Sequence, residues 1–206
     1  MIVQFSVGNF LSFKELSTLS LVATNLKETA IADADSMAEM DDAIPAILHG
    51  AAIYGANASG KSNFAKALST FKWLVINSVK ELQAGEALNV ESFMLNVKTA
   101  HEPSLFEMVF CHDAYIYRYG CEIDSKKVHK EWLYRRNNKK RAKEVELLFR
   151  EDSTYNVHPS CAIMRNLVTN KMVRDNALLV SVAAQFNDET AVSIVNWLTD
   201  TSVITS

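Results

Sequence analysis

Hydrophobic and polar positions alternate most clearly in the middle of the chain, where they predict an antiparallel sheet. Residues 104–124 alternate twice, on either side of a turn expected at His112-Asp113. Two further segments, 128–135 and 145–150, are rich in branched and aromatic residues and predict two more strands. The pattern therefore predicts a meander of about four antiparallel strands.

The start of the chain shows a second strand pattern. Residues 2–7 place Val3, Phe5 and Val7 on one side of a predicted strand, and residues 16–23 alternate in the same way. A β-hairpin or meander is therefore expected to open the chain.

Helical spacing dominates two other regions. Apolar residues spaced by three, four and seven predict a long amphipathic helix from Lys61 to about Gln83, with Gly85 as its stop. The apolar stretch 46–54 before it suits a buried strand. Residues 161–198 read as helical or mixed.

Within this last region, the apolar run 177–186 fits either a strand or a short helix. Asn187-Asp188-Glu189 then resembles a helix start, because carboxylates favour the positive end of the helix dipole. Val192, Val195 and Leu198 are expected to face inward from that helix.

Composition narrows the class of protein. The 206 residues carry a net charge of −3, so global charge does not favour nucleic acid or an anionic membrane. Three cysteines without a Cys-x-x-Cys pair, no signal-peptide pattern and no long apolar run predict a reduced, cytoplasmic protein outside the membrane. The acidic stretch 28–45 reads as a solvated loop or an acidic interaction segment.

Candidate chemistry is concentrated in one loop. Gly55 to Ser62 satisfies the pattern G-x-x-x-x-G-K-[ST], and it stands between the predicted strand and the long helix. Backbone N–H groups and the helix N-terminus can hold phosphates, lysine reaches the β- and γ-phosphates, and the serine hydroxyl ligates Mg²⁺. The predicted ligands are nucleotide phosphates and Mg²⁺, and ATP is the nucleotide that the family resemblance described next implies. The predicted nucleotide-binding residues are Gly55, Ala56, Asn57, Ala58, Ser59, Gly60, Lys61, Ser62 and Asn63.

Several segments resemble a known bacterial family. They are the opening I-V-Q-F-S-V-G-N-F-L-S-F, the loop A-A-I-Y-G-A-N-A-S-G-K-S, then E-W-L-Y, L-L-F-R-E and N-A-L-L-V-S-V-A-A-Q-F-N. The resemblance, which runs over nearly all of the chain, is to AAA-type ATP-binding proteins with an ABC-like head, related to the RecF, SMC and overcoming-lysogenization ATPases. Members often belong to phage-defence systems.

The resemblance implies an α/β P-loop NTPase fold, namely an ABC-type ATPase lobe with an antiparallel β-subdomain. It also implies that Gly55 to Ser62 is the Walker A loop and that heads pair as a homodimer. Gln185 resembles the Q-loop glutamine that touches Mg²⁺ in such heads, although an ordinary surface glutamine fits equally well.

Two departures from the family pattern affect the expected activity. Leu11 stands where relatives commonly have an arginine, and neither a signature motif nor a Walker B strand is found. The nearest Walker B candidate, M-V-F-C-H-D, places Asp113 in a predicted turn. We therefore expect an N-terminal ATPase lobe that binds nucleotide with little hydrolysis alone.

This expected lobe, 1–206, is predicted to divide into a hairpin, loop and helix (1–85), the meander (86–152) and a mixed segment (153–206). The C-terminal half of the ATPase head is expected to lie outside these residues.

Other functions stay open at this stage. A non-catalytic nucleotide sensor that signals to an effector protein, or a truncated remnant, fits the same residues. A GTPase fits less well because Asn170-Lys171 lacks the aspartate of N-K-x-D, and the meander suits a kinase poorly. The basic run 135–143 reads as a solvated hairpin tip or as a DNA contact.

Overall fold

A seven-stranded antiparallel sheet forms the largest element of the protein, as seen in a computed structural model that describes residues 1–23, 37–39, 46–57, 59–139 and 141–202. The strands of this sheet lie in the order β2-β1-β5-β6-β7-β8-β9, and each neighbouring pair is antiparallel. Their bounds are β1 Ile2–Gly8, β2 Ser17–Ser20, β5 Ser104–His112, β6 Tyr115–Ile123, β7 Val128–Asn137, β8 Val145–Glu151 and β9 Thr154–Val157. A separate ribbon contains β3 Met37–Glu39 and β4 Ala46–Leu48.

The predicted meander is confirmed as β5 to β8. Alternation was a reliable signal there because one face of each strand is buried and the other is partly solvated. Strand β9 was missed, since its four residues, Thr154–Val157, are too short to show a period. The opening hairpin was expected, and β1 extends the meander by pairing with β5, Phe5 opposite Met108.

The helices cover one face of the sheet. They are α1 Lys61–Glu81, α2 Ala162–Thr169, α3 Leu179–Gln185 and α4 Glu189–Asp200. Helix α1 confirms the predicted long helix, and Gly85 lies just beyond its end with φ +83°. Phe71 of α1 packs against Phe5, Phe106 and Tyr119 at ring-centroid distances of 5.8–6.3 Å. These aromatic contacts join α1 to three neighbouring strands.

The other face of the sheet carries a smaller apolar cluster. Ile47 of β4 packs there with Val3, Cys111 and Ile116. The prediction that Val3 lies beside Phe5 is wrong, because an irregularity between Ile2 and Gln4 in the pairing of β1 with β5 shifts its register. Phe5 and Val7 belong to the main core on the helical side.

Two loop and strand predictions need correction. The buried strand expected at 46–54 ends at Leu48; Ile53 is 48% exposed and Tyr54 is 90% exposed. A buried strand needs partners on both sides, and in the described residues no strand pairs with 51–57. Within the acidic stretch 28–45, Met37–Glu39 forms a strand instead of a loop, and 28–36 and 40–45 lie outside the described residues.

Helices α3 and α4 resolve the ambiguous C-terminal pattern. The run 177–186 is a helix, and Asp188 caps α4 by accepting a hydrogen bond from the N–H of Ala191. Leu198 faces the core as expected, together with Ala191 and Ile194. The inward prediction for Val192 is wrong, because the buried stripe of α4 runs through 191, 194 and 198.

A buried polar cluster attaches α3 to the sheet. The Glu131 carboxylate, on β7, accepts hydrogen bonds from Leu179 N (2.7 Å), Val180 N (3.1 Å) and the Tyr119 hydroxyl (3.0 Å). Arg150 is buried nearby and donates to the carbonyl of Ala177 (2.8 Å). Burial raises the pKa of Glu131, opposed by the Arg150 charge and by these hydrogen bonds. The cluster fixes where α3 begins.

Among the helices of the described residues, none combines the length and the hydropathy that crossing a bilayer would require.

Candidate functional site

The Gly-Lys-Ser loop lies on the surface, immediately before α1. Residues 55–57 and Ser59 are exposed, and a turn is closed by a hydrogen bond from Ser59 N to Ala56 O (3.2 Å). Ala58, one of the nine residues that the sequence predicts for nucleotide binding, lies outside the described residues. The other eight are contiguous with the start of α1, so the fold places them as one loop-to-helix unit.

The ammonium group of Lys61 lies inside this loop. It donates hydrogen bonds to the carbonyls of Gly55 and Ala56, both at 2.7 Å, and lies 3.4 Å from the hydroxyl of Ser59. The lysine therefore closes the loop on itself. When a phosphate enters the loop, the Lys61 ammonium would exchange these neutral carbonyl acceptors for charged phosphate oxygens, which form stronger hydrogen bonds with it.

Two features of the structure favour glycine at position 60: its backbone conformation and the close approach of a neighbouring side chain. Its φ is +94°, in the left-handed region, and an added Cβ would lie 2.8 Å from the hydroxyl of Ser12. Asn63 donates to the same hydroxyl at 2.9 Å. Ser12 therefore fixes the N-terminal loop against the start of α1, a role that its sequence context did not signal.

The N-terminus of α1 is free of side-chain caps. The first helical hydrogen bond runs from Phe64 N to Gly60 O (3.1 Å), so the N–H groups of Lys61, Ser62 and Asn63 precede it. No acidic residue occupies the first turn, and the side chain of Ser62 is exposed. This arrangement leaves the positive end of the helix dipole open to an anion.

The hydroxyl of Ser62 also fits a Mg²⁺ ion. Magnesium usually takes one or two protein ligands and fills the remaining positions with water and phosphate oxygens. Among the described residues, no group of three or more His, Cys, Asp or Glu side chains could form a complete metal site. The exposed Ser62 hydroxyl could therefore supply one such protein ligand.

Two adjoining grooves run beside the first turns of α1. One, of about 460 Å³, is lined by Ser12, Asn63 and the segment 91–95, and the other, of about 260 Å³, extends along Lys66 and Thr70. Leu11 and Glu91 line both. Leu11 therefore places an apolar side chain beside the first turns of α1.

Asn9 holds the segment that forms the outer wall of these grooves. Its amide nitrogen donates to the carbonyls of Thr99 and Glu102, both at 2.8 Å, and its amide oxygen accepts from Phe93 N at 3.2 Å. Its φ is +47°, a conformation that asparagine tolerates better than most residues. A turn signal at Gly8-Asn9 was visible in the sequence, but this bonding was not.

The remaining candidate residues lie elsewhere. Gln185 is the exposed last residue of α3. The same helix is attached to α1 by a hydrogen bond from the Ser181 hydroxyl to the carbonyl of Val75. Val75 lies about 20 Å along α1 from Lys61, at 1.5 Å per residue. In the described residues no hydrogen bond joins Gln185 to the loop, and its metal role stays a prediction. Asp113 lies in the turn after β5, beside His112 at 3.6 Å.

Comparison with known proteins identifies the domain family. A family profile described as "AAA domain, putative AbiEii toxin, Type IV TA system" matches residues 51–163, more than half of the 206-residue chain. The match begins before the Gly-Lys-Ser loop and extends through the meander to α2. Neither curated proteins nor solved structures gave a match. The chain therefore belongs to this family of AAA domains, which are P-loop ATPase-like domains.

Proposed function

We propose that the protein binds Mg-ATP through Gly55 to Asn63, as the N-terminal lobe of an ABC-type ATPase of the RecF, SMC and overcoming-lysogenization kind. One observation carries the proposal. The Lys61 ammonium lies inside the Gly-Lys-Ser loop, whose Gly60 has a left-handed backbone, at the uncapped start of a 21-residue helix. Each part matches a requirement of phosphate binding.

Binding would proceed by an exchange of partners. The β- and γ-phosphates draw Lys61 away from the carbonyls of Gly55 and Ala56, while the first N–H groups of α1 donate to phosphate oxygens. Ser62 would supply a hydroxyl ligand to Mg²⁺, and the ion would neutralise part of the phosphate charge. The groove along Asn63 has room for the nucleoside.

Hydrolysis requires more than this loop supplies. A phosphoryl transfer to water needs a positioned nucleophile and a carboxylate in the metal shell. Asp113, the nearest Walker B candidate of the sequence, directly follows the last residue of β5. The first residue of that strand, Ser104, donates a hydrogen bond to the carbonyl of Asn9, so the opposite end of β5 is the one near the groove beside α1. We therefore infer that turnover takes place in a completed, dimeric head that supplies these groups from outside the loop.

The biological setting follows from the family. Its description names a putative AbiEii toxin and a type IV toxin–antitoxin system. We infer a cytoplasmic role in abortive infection or phage defence, in which nucleotide state is passed to an effector protein.

Calorimetric titration with Mg-ATP and Mg-GTP tests the proposal. The wild-type chain should bind ATP saturably, and Lys61→Ala should weaken binding about 10- to 100-fold, since a charged hydrogen bond contributes about 1.5–3 kcal/mol. Lys80→Ala is the matched control, because Lys80 is exposed in the last turn of the same helix. A folded wild-type chain that does not bind, or a Lys61→Ala variant that binds equally well, would refute the proposal.

A further inference from the structure

The groove beside the Gly-Lys-Ser loop carries a carboxylate on its outer wall. Eight of the described residues line this groove of about 460 Å³, and Glu91 is the one ionisable side chain among them. Glu91 also lines the adjoining groove of about 260 Å³, whereas Lys66 of α1 lines only that second groove. The carboxylate therefore belongs to the space that a base would occupy when the phosphates lie at Lys61.

Two hydrogen bonds connect Glu91 to the start of α1. The N–H of Leu11 donates to the carbonyl of Glu91 at 3.0 Å, and the next residue, Ser12, accepts from the amide of Asn63 at 2.9 Å. Asn63 is the third residue of α1, two positions after Lys61. The outer wall at Glu91 is thus held one short loop away from the end of the helix that faces the phosphates.

The backbone on both sides of Glu91 is fixed. Leu88 and Val90 are buried in the main core, and Glu91 is exposed, which is the alternation expected of an extended chain. On the other side, the N–H of Phe93 is bonded to the side-chain oxygen of Asn9 at 3.2 Å. The Glu91 side chain therefore projects into the groove from a wall that is anchored before and after it. Such preorganisation lowers the entropy cost of binding a ligand.

The loop that carries Leu11 is fixed as well. Phe10 and Phe13 exchange two main-chain hydrogen bonds, of 2.9 and 2.8 Å. Phe10 is buried, and the ring centroid of Phe13 lies 6.0 Å from that of Phe64 on α1. Leu11 therefore offers apolar surface to the groove from a fixed loop, and Met94 offers more from the outer wall. Apolar surface with one well-placed polar group is typical of a site for a planar base.

We propose that Glu91 selects adenine over guanine by accepting a hydrogen bond from the 6-amino group of the base. At this position adenine carries an N–H donor, whereas guanine carries a carbonyl acceptor. An ionised carboxylate is an acceptor only, so it attracts the first group and repels the second. Leu11 and Met94 supply the apolar surface for the ring. The proposal rests on the proposed nucleotide binding and adds which base is bound.

Calorimetric titration with three nucleotides tests the proposal on the wild-type chain. The ligands are the Mg²⁺ complexes of ATP, of purine riboside triphosphate, which lacks only the 6-amino group of ATP, and of GTP, all at one ionic strength. ATP should bind about 10-fold more tightly than purine riboside triphosphate, because a hydrogen bond to a charged group contributes about that factor. GTP should bind about 10-fold more weakly again, since its 6-carbonyl would meet the carboxylate.

Two variants of the exposed Glu91 assign the discrimination to this side chain. Glu91→Ala removes the acceptor, so ATP should lose about 10-fold in affinity and match purine riboside triphosphate. Glu91→Gln presents a donor as well as an acceptor and should bring ATP and GTP within about threefold of each other. Glu81→Gln is the matched control: it removes the same charge from the exposed last residue of α1, about 30 Å along the helix from Lys61, and should keep the wild-type order of affinities.

Three results would overturn this specificity. They are equal affinity of the wild-type chain for the three nucleotides, tighter binding of GTP than of ATP, and an unchanged preference for ATP in Glu91→Gln. If Lys61→Ala still weakens binding in those cases, the phosphate site stands and only the role of Glu91 fails. A wild-type chain that binds none of the three nucleotides overturns both proposals. The wild-type comparison needs no substitution, so it decides the matter even where a variant does not fold.

Discussion

Replacement of Asn9 by alanine is the sharpest test of how the groove beside α1 is built. The side chain is 8% exposed and makes well-formed hydrogen bonds to three main-chain groups, those of Phe93, Thr99 and Glu102. It thereby joins the end of β1 to the segment that lines the groove. Alanine removes all of these bonds and keeps the left-handed backbone at φ +47°.

The cost of Asn9→Ala can be worked out from these contacts. Three neutral hydrogen bonds contribute about 1 kcal/mol each, and the main-chain groups left behind are partly reached by water. Alanine in the left-handed region adds about 1 kcal/mol. We expect the free energy of unfolding to fall by about 4 kcal/mol, which corresponds to about 8–16 °C in Tm for a chain of this size.

Urea unfolding followed by tryptophan fluorescence measures this loss, since the chain has three tryptophans. Asn9→Gly is the control: it removes the same bonds but fits the backbone, so it should be less destabilised than alanine by up to about 1 kcal/mol. ATP affinity should fall in both variants, because the wall of the groove loses its anchor. An alanine variant within about 0.5 kcal/mol of wild type, or a glycine variant as stable as wild type, would refute the reasoning.

Two further predictions concern the sheet. Gly120→Ala should lower the free energy of unfolding by about 3 kcal/mol, because the added Cβ would lie 2.5 Å from the Trp132 ring and 2.7 Å from the Phe106 carbonyl. Gly50→Ala is the control: an added Cβ there has no atom within 4 Å, so this variant should be near neutral in the same urea titration. Burial raises the pKa of Glu131 above its usual 4.5, so the folded chain keeps a proton that the unfolded chain has released, and stability should fall as pH rises from about 4.5 through the folded pKa. Glu131→Gln should remove this part of the pH dependence, and unfolding curves of equal pH slope for the two proteins would contradict the assignment.

Local patterns were sufficient for some elements and insufficient for others. The strands β5 to β8 and helix α1 follow directly from period-two and period-3.6 spacing, because each buries one face against the main core. The same reasoning failed at 49–54, where an apolar stretch is exposed. Apolar composition indicates that a segment can be buried, but burial depends on partner strands that no local pattern reveals.

The sequence by itself predicted the nucleotide chemistry proposed for this protein, because a phosphate loop needs its glycines, lysine and serine within eight consecutive residues. The meander and the long helix were determined in the same local way. Only the tertiary structure decided that β1 pairs with β5, that Ser12 and Asn9 fix the surroundings of α1, and that Leu11 bonds to the main chain of Glu91. These features join residues up to about a hundred positions apart, and such contacts depend on chain topology, which local spacing does not encode.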